Sequence, residues 1–396
     1  MNKVSLYVHI PFCSTRCGYC HFNTYEGLDR LFGPFVEALC REIEVSGRGL
    51  RDQWMASTIF VGGGTPTHLP VELFLRLVKA LRSSWDWAPD IEITSEANPT
   101  GISQRYLEAI REAGVNRVSF GAQSFDRELL RMLDREHTVE QIGDAVHAAR
   151  RAGFTNLNLD LMYGLPRQTL AQWRDSLDAA IALQPDHLSL YGLTIDEGTA
   201  FKKRVDKGLL PEPDADLAAD MYEWAEDRLD GAEFRQYEIS NWARLNRECH
   251  FVEGDDLSHD LLMWCHHNLT YWRNEPYLGF GPGAHSFFGH SRFWNVNAPQ
   301  TYIERIARGQ SVVDGHELIG KSLEEAETVI LALRLNEGIA RSEFKSRFDE
   351  SMDDLYGATL EECGKWGLVA DDGERYRLTP RGRLLSNEVF QRLLPD

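Results

Sequence analysis

Six short β-rich segments alternate with amphipathic helical segments through the first half of the chain. The β-rich segments are residues 4–10, 57–63, 90–97, 117–123, 155–164 and 187–193. Between them, apolar residues recur at helical spacing, as in FVEALCREIEVS and VELFLRLVKALRSS. This alternation predicts a parallel sheet covered by helices, and six units are too few to close an eight-stranded barrel. We therefore predict an α/β protein with a partial (β/α)6 barrel.

Unusual short sequences follow the predicted strands. They are PFC after the first strand, GGGTP after the second, EANP after the third, AQS after the fourth and DLMYG after the fifth. In parallel α/β folds the chemistry gathers at the carboxyl ends of the strands. We therefore expect these sequences to meet at one edge of the sheet and to form a site there.

The sequence pattern changes at about residue 234. The segment 234–315 contains an acidic stretch and then becomes rich in aromatic residues, glycine and histidine, which indicates an addition to the barrel. The segment 316–396 is predicted to contain helices followed by a hairpin around Asp372 and Gly373. We therefore predict a barrel at 1–233, its extension at 234–315, and a C-terminal helical, winged-helix-like domain at 316–396.

Charge and hydrophobicity argue against several classes of function. Sixty-one acidic against 42 basic residues give a formal net charge of -19, which disfavours non-specific attraction to nucleic acids and anionic membranes. No apolar run approaches the roughly 18 to 20 residues that span a bilayer, and the N-terminus lacks the longer apolar region of a signal peptide. We therefore expect a cytoplasmic protein that is not an integral membrane protein and binds no nucleic acid.

Three of the seven cysteines, Cys13, Cys17 and Cys20, lie within eight positions. Such crowding is poor geometry for disulfides. Three thiolates can instead hold three irons of a [4Fe-4S] cluster and leave the fourth iron open for a cofactor or substrate. The alternatives are a structural zinc site with His21 as the fourth ligand, or three cysteines buried in the core.

The Cys-x3-Cys-x2-Cys spacing resembles that of the radical S-adenosylmethionine (SAM) superfamily. In that superfamily the open iron binds the amino and carboxylate groups of SAM, and reduction cleaves SAM to a 5′-deoxyadenosyl radical. GGGTP at 62–66 follows the second predicted strand, where glycines let backbone groups approach a charged ligand closely. Alone this sequence could be a tight turn, but after the cysteine loop it resembles the motif that meets the SAM amino group.

The resemblance extends over nearly the whole chain. The ordered motifs YVHIPFCxxxCxYCxF, FVGGGTPT, EITSEANP, NRVSFGAQSFD, NLDLMYGLPRQT, QYEISNWA and YLGFGPGAHSF are similar to those of the coproporphyrinogen oxidase-like family. That family includes anaerobic coproporphyrinogen III oxidases (HemN-type) and haem chaperones (HemW-type). The resemblance implies a radical SAM barrel in which nine residues contact SAM. They are Tyr7, Gly63, Gly64, Thr65, Glu96, Gln123, Arg135, Asp160 and Thr194.

Two departures from the oxidases bear on which type this chain resembles. The oxidases resemble one another in a further cysteine two residues after the loop and in a long N-terminal segment. Here Phe22 occupies the cysteine position and the YVH motif begins at Tyr7. Both features count against porphyrinogen decarboxylation and resemble the haem chaperone type, as does HNLTYW at 267–272.

The chaperone resemblance implies binding of a [4Fe-4S] cluster, SAM and haem, with delivery of haem to haem-accepting apoproteins. The alternative is an oxygen-independent coproporphyrinogen III oxidase, or another radical SAM enzyme acting on a tetrapyrrole. His267 is the candidate haem ligand because a neutral imidazole is a natural axial ligand of haem iron. It could equally be a histidine of an aromatic core segment.

Other side chains compete with His267 as haem ligands. They are His250, His266, His285, His290, Cys249 and Cys265. Cys40 and Cys363 lie on apolar helix faces and are expected in the core. An acidic insertion at 244–266 is longer than the usual connection of the family, and Cys-His pairs bracket it. The insertion could bind a metal or form a lid near the site, and it bears on haem ligation by His267.

Overall fold

The computed structural model describes residues 1–244 and 263–395. The six predicted strands are present, with ends that lie within a few residues of the sequence-based limits. They are β1 (Asn2–Ile10), β2 (Trp54–Gly63), β3 (Trp87–Ala97), β4 (Arg117–Gln123), β5 (Asn156–Tyr163) and β6 (His187–Gly192).

Helices connect and follow these strands. They are α1 (Phe32–Leu50), α2 (Val71–Ser84), α3 (Gln104–Glu112), α4 (Arg127–Met132), α5 (Val139–Arg151), α6 (Leu170–Ala182), α7 (Ala200–Asp206) and α8 (Ala215–Asp230). Short 3-10 turns occupy Asp29–Leu31 and Pro66–His68. Local sequence sets where several helices begin: Thr138 and Gln141 form a capping box at the start of α5, which satisfies amide groups that have no partner within the helix.

The segment after α8 adds strands to both edges of the sheet. Its elements are β7 (Phe234–Glu238), β8 (Asn241–Arg244), α9 (His266–Trp272), β9 (Tyr277–Phe280), β10 (His285–Phe288), β11 (Ser291–Asn295), α10 (Pro299–Ala307) and β12 (Val313–Leu318). The remaining elements are α11 (Lys321–Ala332), β13 (Ile339–Ala340), α12 (Arg341–Phe348), α13 (Met352–Lys365), β14 (Val369–Asp371), β15 (Arg375–Leu378), α14 (Pro380–Leu384) and α15 (Ser386–Leu393).

In the described residues, one sheet of twelve strands runs in the order β12-β11-β10-β9-β1-β2-β3-β4-β5-β6-β8-β7. Strands β1 to β6 are parallel and lie in chain order, as the strand-helix alternation predicts. Strand β9 pairs parallel with β1 and β8 pairs antiparallel with β6. The parallel six-stranded core of the predicted partial barrel is therefore confirmed. The limits of the three regions stay a prediction.

The two faces of the parallel strands differ in chemistry. In β5, Leu157, Leu159 and Leu161 are fully buried in the core cluster under the helices. The alternate residues Asn158 and Asp160 line a pocket on the other face. Because side chains alternate across a strand, the same strands supply an apolar face for the core and a polar face for a site.

The C-terminal part has its own core and a second sheet. Strands β13, β15 and β14 form a three-stranded antiparallel sheet, and buried residues of this sheet and its helices form a separate apolar cluster. Gly373 has a φ of +90° in the β14-β15 turn, which favours glycine. This confirms the predicted helices and hairpin. Among the described residues, no helix is both long enough and apolar enough to cross a membrane.

Candidate functional site

A pocket of about 420 Å³ opens beside the cysteine loop and extends along the polar face of the sheet. Exposed loop residues such as Phe22 line its mouth, and the buried side chains of Arg117 and Asn158 line its inner wall. The expectation that the sequences after the strands meet at one edge is confirmed for the cysteine loop, the glycine-rich turn and Glu96, which share this pocket.

The three loop cysteines are half-buried and line the same pocket. Arg135 Nη1 lies 3.4 Å from Cys17 Sγ, and Thr65 Oγ1 lies 3.8 Å from Cys13 Sγ. Burial raises the pKa of Cys13 to about 11, and the hydrogen bond from Thr65 opposes this rise. Because metal ligands must be thiolates, these donors favour the form of cysteine that binds iron.

The alternative of a single metal ion finds no complete set of ligands among the described residues. Among residues 1–244 and 263–395, no three histidine, cysteine or acidic side chains converge as the ligands of one metal ion must. Ligands of a [4Fe-4S] cluster bind different irons and need not converge in this way. His21, the proposed fourth zinc ligand, directs Nδ1 to Asp196 Oδ2 at 3.0 Å.

The glycine-rich turn permits a very close approach of three backbone segments. Gly63 has a φ of +108°, and a Cβ there would lie 2.4 Å from the ring of His9. A Cβ on Gly64 would lie 2.6 Å from the carbonyl oxygen of Phe12, next to Cys13. Side chains at 63 and 64 would therefore displace the strand that leads into the cysteine loop.

Two carboxyl groups, those of Glu96 and Asp160, line the same pocket as the cysteine loop. Glu96 Oε2 accepts a hydrogen bond from the Gly63 amide at 3.0 Å. Burial, followed by the nearby Asp160 carboxylate, raises the pKa of Glu96 to about 8. Burial also raises the pKa of Asp160, although Asn158 Nδ2 donates to it at 2.7 Å. Carboxylates in this setting can meet an ammonium group or hydroxyl groups of a ligand.

The pocket brings together eight of the nine residues that the family resemblance assigns to SAM. They are Gly63, Gly64, Thr65, Glu96, Gln123, Arg135, Asp160 and Thr194. Tyr7 lies outside the lining and donates its hydroxyl to His9 Nδ1 at 2.9 Å, while His9 Nε2 donates to the Asn23 carbonyl. Tyr7 thus holds a histidine that packs against the glycine-rich turn. The individual SAM contacts stay predictions.

Sequence reasoning missed Arg117, at the start of β4. This side chain is 2% exposed and lines the inner wall of the pocket. Burial lowers the pKa of Arg117, but Cys265, then Glu92 and, more weakly, Asp160 hold it above its usual value. The alternation in RVSFGAQ could have indicated Arg117, because it places Arg117, Ser119 and Gln123 on one face of a strand.

His267 is almost fully buried, at 1% exposure. Its Nδ1 lies 2.7 Å from Thr58 Oγ1 and its Nε2 lies 2.9 Å from the Tyr271 hydroxyl, while its ring stacks on Phe60. Burial, followed by the charge of Arg117, lowers the pKa of His267 to about 3. Both ring nitrogens are occupied by protein groups, so the predicted ligation of haem iron by His267 requires one of these hydrogen bonds to break.

The other candidate haem ligands lie on different elements of the fold. His285 stacks on Trp294, and His290 bonds to Glu324 at 2.6 Å. Cys265 is buried with its sulfur 3.7 Å from Glu92 Oε1, and His266 is exposed at the start of α9.

Two further competitors, Cys249 and His250, lie outside the described residues, as does most of the insertion at 244–266. Cys40 and Cys363 are buried in α1 and α13, as expected.

Comparisons with known proteins cover the whole chain. Residues 7–180 match the radical SAM superfamily, and residues 326–385 match the HemN C-terminal domain. The chain is 38% identical over 393 residues to the haem chaperone HemW of Mycobacterium tuberculosis, covering 98% of this chain and 94% of that protein. It is 36% identical over 396 residues to HemW of Bacillus subtilis, covering 99% of both.

The fold is also similar to a solved structure. The chain matches the coproporphyrinogen III oxidase HemN of Escherichia coli, described as a radical SAM enzyme, with a TM-score of 0.84 and 26% identity. The match covers 99% of this chain and 90% of HemN. The barrel, the added strands and the C-terminal helical region therefore recur together in that protein.

Proposed function

The chain belongs to the radical SAM superfamily and, within it, to the HemW family, and on this premise we propose that it is a haem chaperone that holds a [4Fe-4S] cluster and SAM, binds haem and delivers haem to acceptor proteins. Several relatives that match at full length carry the name haem chaperone. The observation that carries the proposal is Phe22, which is 56% exposed and lines the pocket beside the cysteine loop. An apolar ring at a pocket mouth suits a planar, largely apolar ligand.

The residues of the pocket fit both cofactors. Cys13, Cys17 and Cys20 would bind three irons of the cluster, and the donors on Arg135 and Thr65 would stabilise the thiolates. When bound, the cluster and SAM supply the one-electron chemistry of the superfamily. The turn at Gly63 and Gly64 packs closely against His9 and the Phe12 carbonyl and lines the pocket beside the cysteines, where it would meet the amino acid part of SAM.

The chain's own groups set the charge of the pocket. Glu96 has a pKa of about 8 and therefore holds a proton at neutral pH, which it gives up when a cationic group approaches. Arg117 lies near Asp160 and opposes the rise in the pKa of that carboxyl. The side chain of Asn268 also lines the pocket. The buried, neutral imidazole of His267 stacks on Phe60, which lines the pocket.

The test is a pair of assays on the same protein. The chain is reconstituted with iron and sulfide without oxygen, then titrated with haem and, separately, incubated with coproporphyrinogen III, SAM and a reductant. We expect a stable haem complex with a defined Soret band and no protoporphyrinogen IX. Transfer is measured by mixing the haem complex with a purified haem-free b-type cytochrome and following the spectrum of the cytochrome.

The alternative function is that of an oxygen-independent coproporphyrinogen III oxidase. The chain shares its fold with HemN, but the full-length relatives are named haem chaperones, and Phe22 stands where the oxidases resemble one another in a further cysteine. Decarboxylation at about 1 per second or faster, in the range of ordinary enzymes, would replace the chaperone proposal. The cytoplasmic location and the identity of the acceptor proteins stay predictions.

A further inference from the structure

We propose that His21 is the axial ligand of the haem iron and that haem binds at the mouth of the cysteine-loop pocket. This inference rests on the proposed haem-binding function and specifies its site. His21 follows the third loop cysteine, and its side chain is 58% exposed. Among the described residues, it is the only histidine that lines the pocket.

A carboxylate orients the imidazole of His21. His21 Nδ1 lies 3.0 Å from Asp196 Oδ2, so Nδ1 carries the proton that is shared with the carboxylate. In the neutral imidazole Nε2 then presents its lone pair, and within residues 1–244 and 263–395 no hydrogen-bond partner for Nε2 is present. Histidines that bind metals usually donate their other ring N–H to a carboxylate or carbonyl in this way. The pair is therefore arranged as a metal ligand and its support.

Exposed aromatic side chains line the pocket together with His21. The ring of Phe22 lies 4.7 Å from the imidazole and is 56% exposed, and Tyr191, which lines the same pocket, is 42% exposed. Large aromatic side chains on a pocket wall offer apolar contact to the faces of a porphyrin. Arg16 also lines the mouth, and its positive charge suits the propionate groups of haem.

Other histidines near the pocket already have hydrogen-bond partners at both ring nitrogens. His9 uses Nδ1 for Tyr7 and Nε2 for the Asn23 carbonyl. His187 uses its two nitrogens for Asn158 and Tyr237, and His267 uses both of its own as described above. Ligation of iron by any of these three costs a buried hydrogen bond. Ligation by Nε2 of His21 costs none.

The experiment measures haem binding by absorption in four reconstituted proteins. They are the natural chain, His21→Ala, Asp196→Asn and, as a matched control, His147→Ala, whose imidazole is exposed on α5. We expect His21→Ala to shift the Soret band and to weaken haem binding by about tenfold or more. Asp196→Asn should weaken it less, and His147→Ala should match the natural chain. Millimolar imidazole should restore the Soret position of the His21→Ala protein, because free imidazole can occupy the vacated coordination position.

Iron, acid-labile sulfide and the electron paramagnetic resonance of the reduced cluster are measured in the same samples. Unchanged cluster signals with an altered haem spectrum support the inference. Loss of the cluster together with haem in His21→Ala would overturn it, since His21 would then serve an iron of the cluster.

An unaltered haem spectrum in His21→Ala, or a shift in His267→Ala instead, would also overturn it while leaving the chaperone function intact. Absence of haem binding by the natural chain would remove the proposed function itself.

Discussion

The carboxylate of Glu92 on β3 accepts a hydrogen bond from the backbone amide of His267 at 3.0 Å. Its other oxygen accepts the amide of His266, also at 3.0 Å. The helix that carries His267 therefore begins on a carboxylate that is itself only 6% exposed. The first amides of a helix have no partner within it, so Glu92 supplies what a capping side chain would supply and ties α9 to the sheet.

Replacement of Glu92 by Gln should destabilise the protein by about 1 to 3 kcal/mol, because a charged acceptor is lost and one buried amide is left without a good partner. The free energy of unfolding in urea measures this effect. Glu37→Gln is the control, because Glu37 is exposed on α1 and its replacement should change little. Equal stability of the two variants would contradict the role given to Glu92.

The cluster should depend on all three loop cysteines. Replacing Cys13, Cys17 or Cys20 by Ala removes a ligand from one iron, so iron and acid-labile sulfide should fall well below four per chain after anaerobic reconstitution. Cys40→Ala is the matched control, since Cys40 is buried in α1 away from the pocket lining. A complete cluster in any loop variant, or zinc in place of iron in protein purified without oxygen, would refute the cluster assignment.

SAM binding should release a proton near neutral pH. Glu96, with a pKa of about 8, is mostly protonated at pH 7, and an ammonium group favours its ionised form. SAM affinity should therefore rise with pH up to about 8. Asp160 and Arg117 face the same carboxyl, and their charges set where this rise occurs. Calorimetry in two buffers with different ionisation enthalpies measures the proton.

Glu96→Gln should abolish the proton release and weaken SAM binding by roughly tenfold or more, which corresponds to the loss of about 1.5 to 3 kcal/mol for a charged hydrogen bond. Glu112→Gln at the exposed end of α3 is the control. Unchanged affinity and unchanged proton release in Glu96→Gln would show that Glu96 does not meet SAM.

The raised pKa of Glu96 also predicts how stability varies with pH. In the unfolded chain this carboxyl ionises near its ordinary value of 4.5, whereas in the folded protein it keeps its proton until about pH 8. Its contribution to stability is therefore complete below pH 4.5 and is lost as the pH rises to about 8. Each unit between the two pKa values corresponds to about 1.4 kcal/mol.

The Glu96→Gln variant has no such titration. In cofactor-free protein, its free energy of unfolding should therefore rise relative to that of the natural chain as the pH increases from 4.5 to 8. The difference should stay constant above pH 8. Urea unfolding at a series of pH values measures both curves. Parallel curves throughout this range would show that the carboxyl is not raised in pKa by its surroundings.

Much of the fold could be predicted because its signals are local. The six strands and the helices between them follow from the spacing of apolar residues, and the limits of β4 coincide with RVSFGAQ. The hairpin between β14 and β15 follows from Asp372 and Gly373, which are adjacent in the chain. The cysteine loop is equally local, since its three sulfurs lie within eight positions.

Only the tertiary structure determines which residues distant in the sequence contact each other. Glu92 meets the amide of His267 across 175 positions, and Asp196 orients His21 from a loop beyond the sixth strand. The motif around His267 indicates a functional segment. The partners of the two ring nitrogens of His267 are Thr58 on β2 and Tyr271, one helical turn later in α9. Sequence periodicity reports which face of an element is polar, because side-chain direction alternates locally. It cannot report which charged groups meet across that face, because their distances are set by the packing of the whole sheet.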